Sequence, residues 1–170
     1  LRLTTDTTLA WLNAQIDTLP SVEGILLLDD VVGFLSPSDF DEFCYPYLNE
    51  IFDNFSDKTR VYHNDTDTSS IIDKLGKLDF EVFNFGYEVS PENVAENIGE
   101  DKTLMGNIPP VDVLARGEPG EIEAEVGRLL KSFKGSNRLI LSAGGGIAPN
   151  TPKKNISTLV NSWRSFVKNH

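Results

Sequence analysis

Leu104-Met105-Gly106-Asn107-Ile108-Pro109-Pro110 and Leu139-Ile140-Leu141-Ser142-Ala143-Gly144-Gly145-Gly146-Ile147-Ala148-Pro149-Asn150-Thr151-Pro152 decide the fold. Each begins as a short apolar strand and runs into small or polar residues just where a helix has to start. A strand that stays apolar on both faces is expected in a parallel sheet flanked by helices. Small residues at its end suit a rim that meets a ligand.

The same strand–helix rhythm extends upstream. Gly24-Ile25-Leu26-Leu27-Leu28 is a continuous apolar run ending in Asp29-Asp30, and Ser36-Pro37 then supplies an N-cap and a first-turn proline. Phe40, Phe43, Tyr47, Leu48, Ile51 and Phe52 line one side of a single helix there, with Cys44 packing beside them. A strand through Arg60-Val61-Tyr62 ends at His63-Asn64-Asp65, and a helix over about 69–75 stops at Gly76. Phe80 to Phe85 is the next strand, Ser90-Pro91 repeats the cap, and residues 102–106 and 138–142 are the last two strands. Helices over 4–19, 121–133 and from Thr151-Pro152 onward complete the set. The count predicts five strands, each followed by a helix, behind one leading helix.

Two layouts satisfy right-handed parallel crossovers: an open doubly wound sheet, or part of an eight-stranded barrel. An open sheet usually carries its glycine loop after the first strand, where this chain has Asp29-Asp30-Val31-Val32-Gly33. Here the glycine-rich turn follows the last strand, where barrels often place ligand-gripping loops. The expected class is therefore α/β, one domain over residues 1–170, with both layouts open and the turn's position leaning toward a barrel.

With 170 residues and a net charge of −11, the chain is sized for one domain and would repel a phosphate backbone, so nucleic acid is not an expected partner. No apolar run approaches the ~18–20 residues that span a bilayer, so no membrane association is expected. Cys44 is the only cysteine, which excludes an intrachain disulfide and suits a cytoplasmic protein. The first residue is Leu1 rather than Met, which points to a piece of something longer.

The two opening runs, with Leu35-Ser36-Pro37-x-x-Phe40 and Pro46-Tyr47-Leu48, resemble the uroporphyrinogen decarboxylase superfamily from about Gly24 onward. That superfamily includes cobalamin-dependent methyltransferases. Its decarboxylases read roughly Gln-Gly-Asn-Leu-Asp-Pro and later Gly-His-Gly-Ile-x-Pro. Its methyltransferases read Gly-Asn-Ile/Val-x-Pro, then Gly-Cys-Gly-Ile-x-Pro. Gly145 stands where the His or Cys belongs. The resemblance implies a partial (β/α)8 TIM barrel made of strands four to eight, with the first three strand–helix units missing.

In a parallel barrel every strand's C-terminal end opens on one face. Asp29, Asp30, His63, Asn64, Asp65, Asn84, Asn107, Ser142 and the Gly144-Gly145-Gly146 turn are expected to gather there, or to cap the neighbouring helices and loops. We read His63, Asp65 and Asp30 as the candidate catalytic set. Asp29, Asn84, Asn107, Gly144 and Gly145 are candidate substrate-binding positions. By the resemblance, His63 and Asp65 match the His and Cys of a His-x-Cys zinc motif, with Asp29 or Asp30 completing a site. Hydrogen bonding to a substrate is the favoured alternative role for the pair. Gly145, lacking a side chain, is expected to widen the cavity on its side.

The resemblance implies methyl transfer between a small-molecule substrate and a corrinoid carried by a partner protein. The runner-up is a divergent decarboxylase of tetrapyrrole biosynthesis, and the third reading is a catalytically silent fragment acting by association. Five strands of an eight-stranded barrel would leave two open edges and an uncovered apolar interior. A homo-oligomer, or association with the missing N-terminal half, is therefore expected.

Overall fold

The structure is a computed structural model and describes residues 1–133 and 136–169. Five strands, β1 (Gly24–Leu28), β2 (Thr59–Asn64), β3 (Val82–Phe85), β4 (Thr103–Ile108) and β5 (Leu139–Ala143), form one sheet in the order β1-β2-β3-β4-β5. All four neighbouring pairs are parallel. The sequential order separates the two layouts: a doubly wound sheet reverses direction at a switch point, whereas a barrel adds each strand on the same side. With right-handed crossovers, the connecting helices then cover a single face. The architecture is a segment of a (β/α) barrel.

The helices are α1 (Arg2–Thr18), α2 (Pro37–Phe43), α3 (Tyr45–Asn54), α4 (Ile72–Leu75), α5 (Pro91–Asn97), α6 (Pro119–Ser132) and α7 (Lys153–Asn169). The two Ser-Pro starts behave as expected: Ser36 Oγ accepts from the Asp39 amide at 3.1 Å and Ser90 Oγ from the Asn93 amide at 3.3 Å. The single helix expected after Ser36 is two helices. Pro46 has no amide hydrogen to give and its ring crowds the preceding turn, so the helix breaks at Cys44 and restarts at Tyr45. The helix expected over about 69–75 shortens to α4. A π-helical turn, Pro110–Ala115, fills the connection after β4.

Between sheet and helices lies the core. Ile25, Tyr62, Phe83, Phe85 and Leu104 point to the helical side and are buried. Their rings form a ladder, with Tyr62 and Phe83 stacked at 5.9 Å between centroids, Phe83 and Phe85 also at 5.9 Å, and Phe52 edge-on to Tyr62. The opposite face is open: Leu26, Leu28 and Ile140 are 52%, 65% and 46% exposed. Register makes a transverse row there, Leu28–His63–Asn84–Met105–Ile140, one residue from each strand. His63 and Asn84 thus enter the same row on adjacent strands.

Candidate functional site

The site is built around the loop after β2. Asn64, fully buried, donates through Nδ2 to the Asp29 carbonyl, and its Oδ1 accepts from the Thr66 amide at 2.8 Å and the Thr66 hydroxyl at 2.7 Å. The Asp65 amide donates to Asp30 Oδ1 at 2.8 Å, tying the β2 loop to the β1 loop. These bonds hold the Asp65 carboxylate above the sheet, with Oδ1 3.3 Å from His63 Nε2. That oxygen is shielded from solvent and has no hydrogen-bond partner.

On its other side the His63 ring meets Asn84, with Nδ1 and Asn84 Oδ1 2.5 Å apart. Asn84 Nδ2 donates in turn to the Met105 carbonyl at 2.7 Å. Asp65, His63, Asn84 and the Met105 carbonyl are therefore one connected chain of polar contacts spanning β2 to β4.

The remaining candidate residues divide. Asp29 serves its own loop, Oδ1 accepting from the Val31 amide at 2.9 Å and Oδ2 from the Tyr62 hydroxyl at 3.4 Å. Burial pushes its carboxyl above the ordinary range, against the pull of the Val31 and Val32 amides. Asn107 does not join the His63 cluster. It is buried and spends its amide on the Gly86 and Val89 carbonyls, at 3.3 and 3.0 Å, so it pins the loop after β3. The Gly144 amide donates to the Ile108 carbonyl at 2.9 Å and closes the β4–β5 ladder.

Gly145 corrects the expectation of a wider cavity. A Cβ placed on it would lie 2.8 Å from Asp65 Oδ2 and 2.9 Å from Oδ1, so the carboxylate already fills the space a side chain would need. Its φ of +118° is a conformation that side-chain-bearing residues rarely adopt. A Cβ at Gly86 would likewise meet the Asp65 carbonyl at 2.6 Å. Asp65 is thus held between two glycine-bearing loops.

The donor set does not fit a zinc site completed by Asp29 or Asp30. Asp29 Oδ1 and Asp30 Oδ1 accept from loop amides, and among the described residues no three His, Cys, Asp or Glu side chains stand together to hold a metal ion. Zinc bound by this chain alone would have His63 and Asp65 as its protein ligands, short of the usual three or four. Beside Asp65, a cavity of about 440 Å³ is lined by Phe34, Thr66, Asp67, Tyr87 and Glu88. Sequence reading passed over Phe34 and Tyr87. Their signal is position: each lies just past a strand end.

The model of the uroporphyrinogen decarboxylase (URO-D) family matches residues 1–166. The chain belongs to the URO-D family. Among its URO-D relatives, the uroporphyrinogen decarboxylase of Christiangramia forsetii is 28% identical over 166 residues, covering 98% of this chain and 47% of the relative. That of Nocardia farcinica is 30% identical over 167 residues, covering 94% of this chain and 46% of the relative. A methyltransferase from Methanosarcina mazei superposes with a TM-score of 0.82 at 25% identity, over 96% of this chain and 47% of that one. The chain spans about half the length of the curated URO-D relatives it matches. No helix among the described residues is long and apolar enough to cross a membrane.

Proposed function

We propose that the chain forms part of a URO-D-superfamily methyltransferase that moves a methyl group between a small substrate and a corrinoid held by a partner protein. The observation that carries this reading is the charge of the rim. The loops after β1, β2 and β3 bear Asp29, Asp30, Asp65, Asp67 and Glu88 and contain no Lys or Arg. A porphyrinogen bearing many carboxylates would meet like charge on all three loops, whereas a neutral or cationic methyl donor would not. The likeness to the Methanosarcina mazei methyltransferase supports the same choice.

The corrinoid supplies the cobalt that accepts or gives the methyl group. The chain's own contribution is positioning and proton handling. His63 and Asp65 face the substrate's heteroatom, and the imidazole accepts a hydrogen bond from it, so that a protonated methylamine leaves as the neutral amine once its methyl is gone. Phe34 and Tyr87 wall the adjacent cavity and limit water around the leaving group.

Relatedness to uroporphyrinogen decarboxylases supports a second reading, decarboxylation of a tetrapyrrole by the complete protein. The exposed Leu26, Leu28 and Ile140 support association of this sheet with further barrel strands in either case. The assembled protein should be given, in parallel, uroporphyrinogen alone and a panel of methyl ethers and methylamines with a corrinoid protein. Transfer of a labelled methyl group without coproporphyrinogen formation is the expected outcome. Coproporphyrinogen without methyl transfer would establish the second reading instead.

A further inference from the structure

We propose that Asn84 is a positioning residue that fixes His63 in its Nδ1–H tautomer, leaving Nε2, beside the Asp65 carboxylate, as an acceptor for a donor group on the ligand. Met105 C=O can only accept, so the Asn84 group 2.7 Å from it is the NH2 end of the amide. The other end, Oδ1, therefore faces His63 Nδ1 at 2.5 Å and can only accept. A neutral imidazole has one N–H, and this contact places it on Nδ1. Nε2 then carries a lone pair.

Asp65 Oδ1 lies 3.3 Å from Nε2 with no hydrogen bond between them. Nε2 is thereby an acceptor beside a carboxylate, whose negative charge favours a cationic donor there. Oδ1 itself is shielded, but the Asp65 side chain keeps 40% of its surface exposed, so its charge is felt by a ligand at the rim. A protonated amine, a hydroxyl or a thiol has the required N–H, O–H or S–H, whereas a carboxylate has none. Asn84 is spent on both of its amide ends, so it acts on the ligand only through His63.

This assignment is independent of the reaction proposed above and is tested without turnover. The imidazole nitrogen resonances of His63 are to be recorded in the assembled protein under mildly alkaline conditions, where imidazole is neutral, and assigned by His63→Gln. The expected spectrum has a protonated Nδ1 and an unprotonated Nε2. Asn84→Asp keeps an acceptor opposite Nδ1 and should retain that tautomer; Asn84→Leu should lose it. Trimethylammonium should shift the Nε2 resonance of the wild type and bind about tenfold more weakly to Asn84→Leu, the loss expected for one hydrogen bond to a charged group. Acetate at the same concentration should leave Nε2 unmoved. A wild-type spectrum with the proton on Nε2, or an equal response to acetate and trimethylammonium, would overturn the proposal. Should Asn84→Leu not fold, the wild-type and Asn84→Asp spectra decide the tautomer on their own.

Discussion

The Asp65 carboxylate lies in the space that a side chain on Gly145 would occupy, with Oδ2 2.8 Å from the position of the absent Cβ. The loops after β2 and β5 are therefore coupled through two residues eighty positions apart in sequence. A Cβ at position 145 and the Asp65 carboxylate in its present place exclude each other.

Gly145→Ala should destabilise the protein by about 1–3 kcal/mol, combining the φ of +118° with the close approach to Asp65. Adding Asp65→Gly should recover the steric part and leave the backbone part. Urea denaturation of the two single variants and the double variant measures this coupling. Strictly additive effects would mean that the two residues do not compete for space.

A second expectation concerns the open face of the sheet. Leu26, Leu28 and Ile140 lie uncovered on it, and covering an aliphatic side chain contributes about 1.5–3 kcal/mol. The chain by itself should self-associate through this face or its strand edges. The double variant Leu26→Lys with Ile140→Lys should shift light-scattering mass toward the monomer. A monodisperse wild-type monomer at micromolar concentration would contradict the expectation.

Acid stability should depend on the foot of the sheet. Buried Arg60 donates to Asp79 Oδ2 at 2.6 Å, and its guanidinium and backbone amide both bond Glu81. Burial works to raise the Glu81 carboxyl, but the Arg60 hydrogen bonds and charge outweigh it and hold the group below its usual range. The folded protein thus releases this proton more readily than the unfolded chain. Its stabilising contribution is fully present above the ordinary value of about 4.3 and is lost as pH falls through the lower folded value. Glu81→Gln should cost up to about 1 kcal/mol at pH 7, because solvent screens the half-exposed carboxylate, and should flatten the acid limb of stability against pH. Identical acid limbs in the two proteins would show that the pair does not govern it.

Phe83 sits in the middle of the ring ladder, stacked on both Tyr62 and Phe85 and fully buried. Phe83→Ala should cost about 3–5 kcal/mol, the range for removing a core aromatic. A loss below about 1 kcal/mol by denaturant titration would mean that the sheet–helix interface is not the stabilising core.

The strands and the Ser-Pro helix starts were legible because their signals are local: a run of apolar residues, a hydroxyl acceptor, a proline in the first turn. The break at Cys44 was masked by the apolar stripe from Phe40 to Phe52, which continues across Pro46 as though the helix did. The site was legible only as a set of strand ends. Which polar residues converge depends on register and on which face each occupies. Register puts His63 and Asn84 in one row, whereas Asn64 and Asn107 are buried among loop carbonyls that they pin. The space at Gly145 looked empty in sequence because the residue that fills it comes from another strand.

The central claim, that the His63–Asp65 centre serves methyl transfer, is tested most directly by a single-turnover assay. The assembled protein is mixed with a labelled methyl donor and an unmethylated corrinoid protein, and label on the corrinoid is followed with time. Label should appear with the wild type, and His63→Gln should slow it by about a hundredfold or more, as expected on losing the group that positions the reacting atom. Unchanged transfer in His63→Gln, or no transfer by the wild type from any methyl ether or methylamine offered, would contradict it.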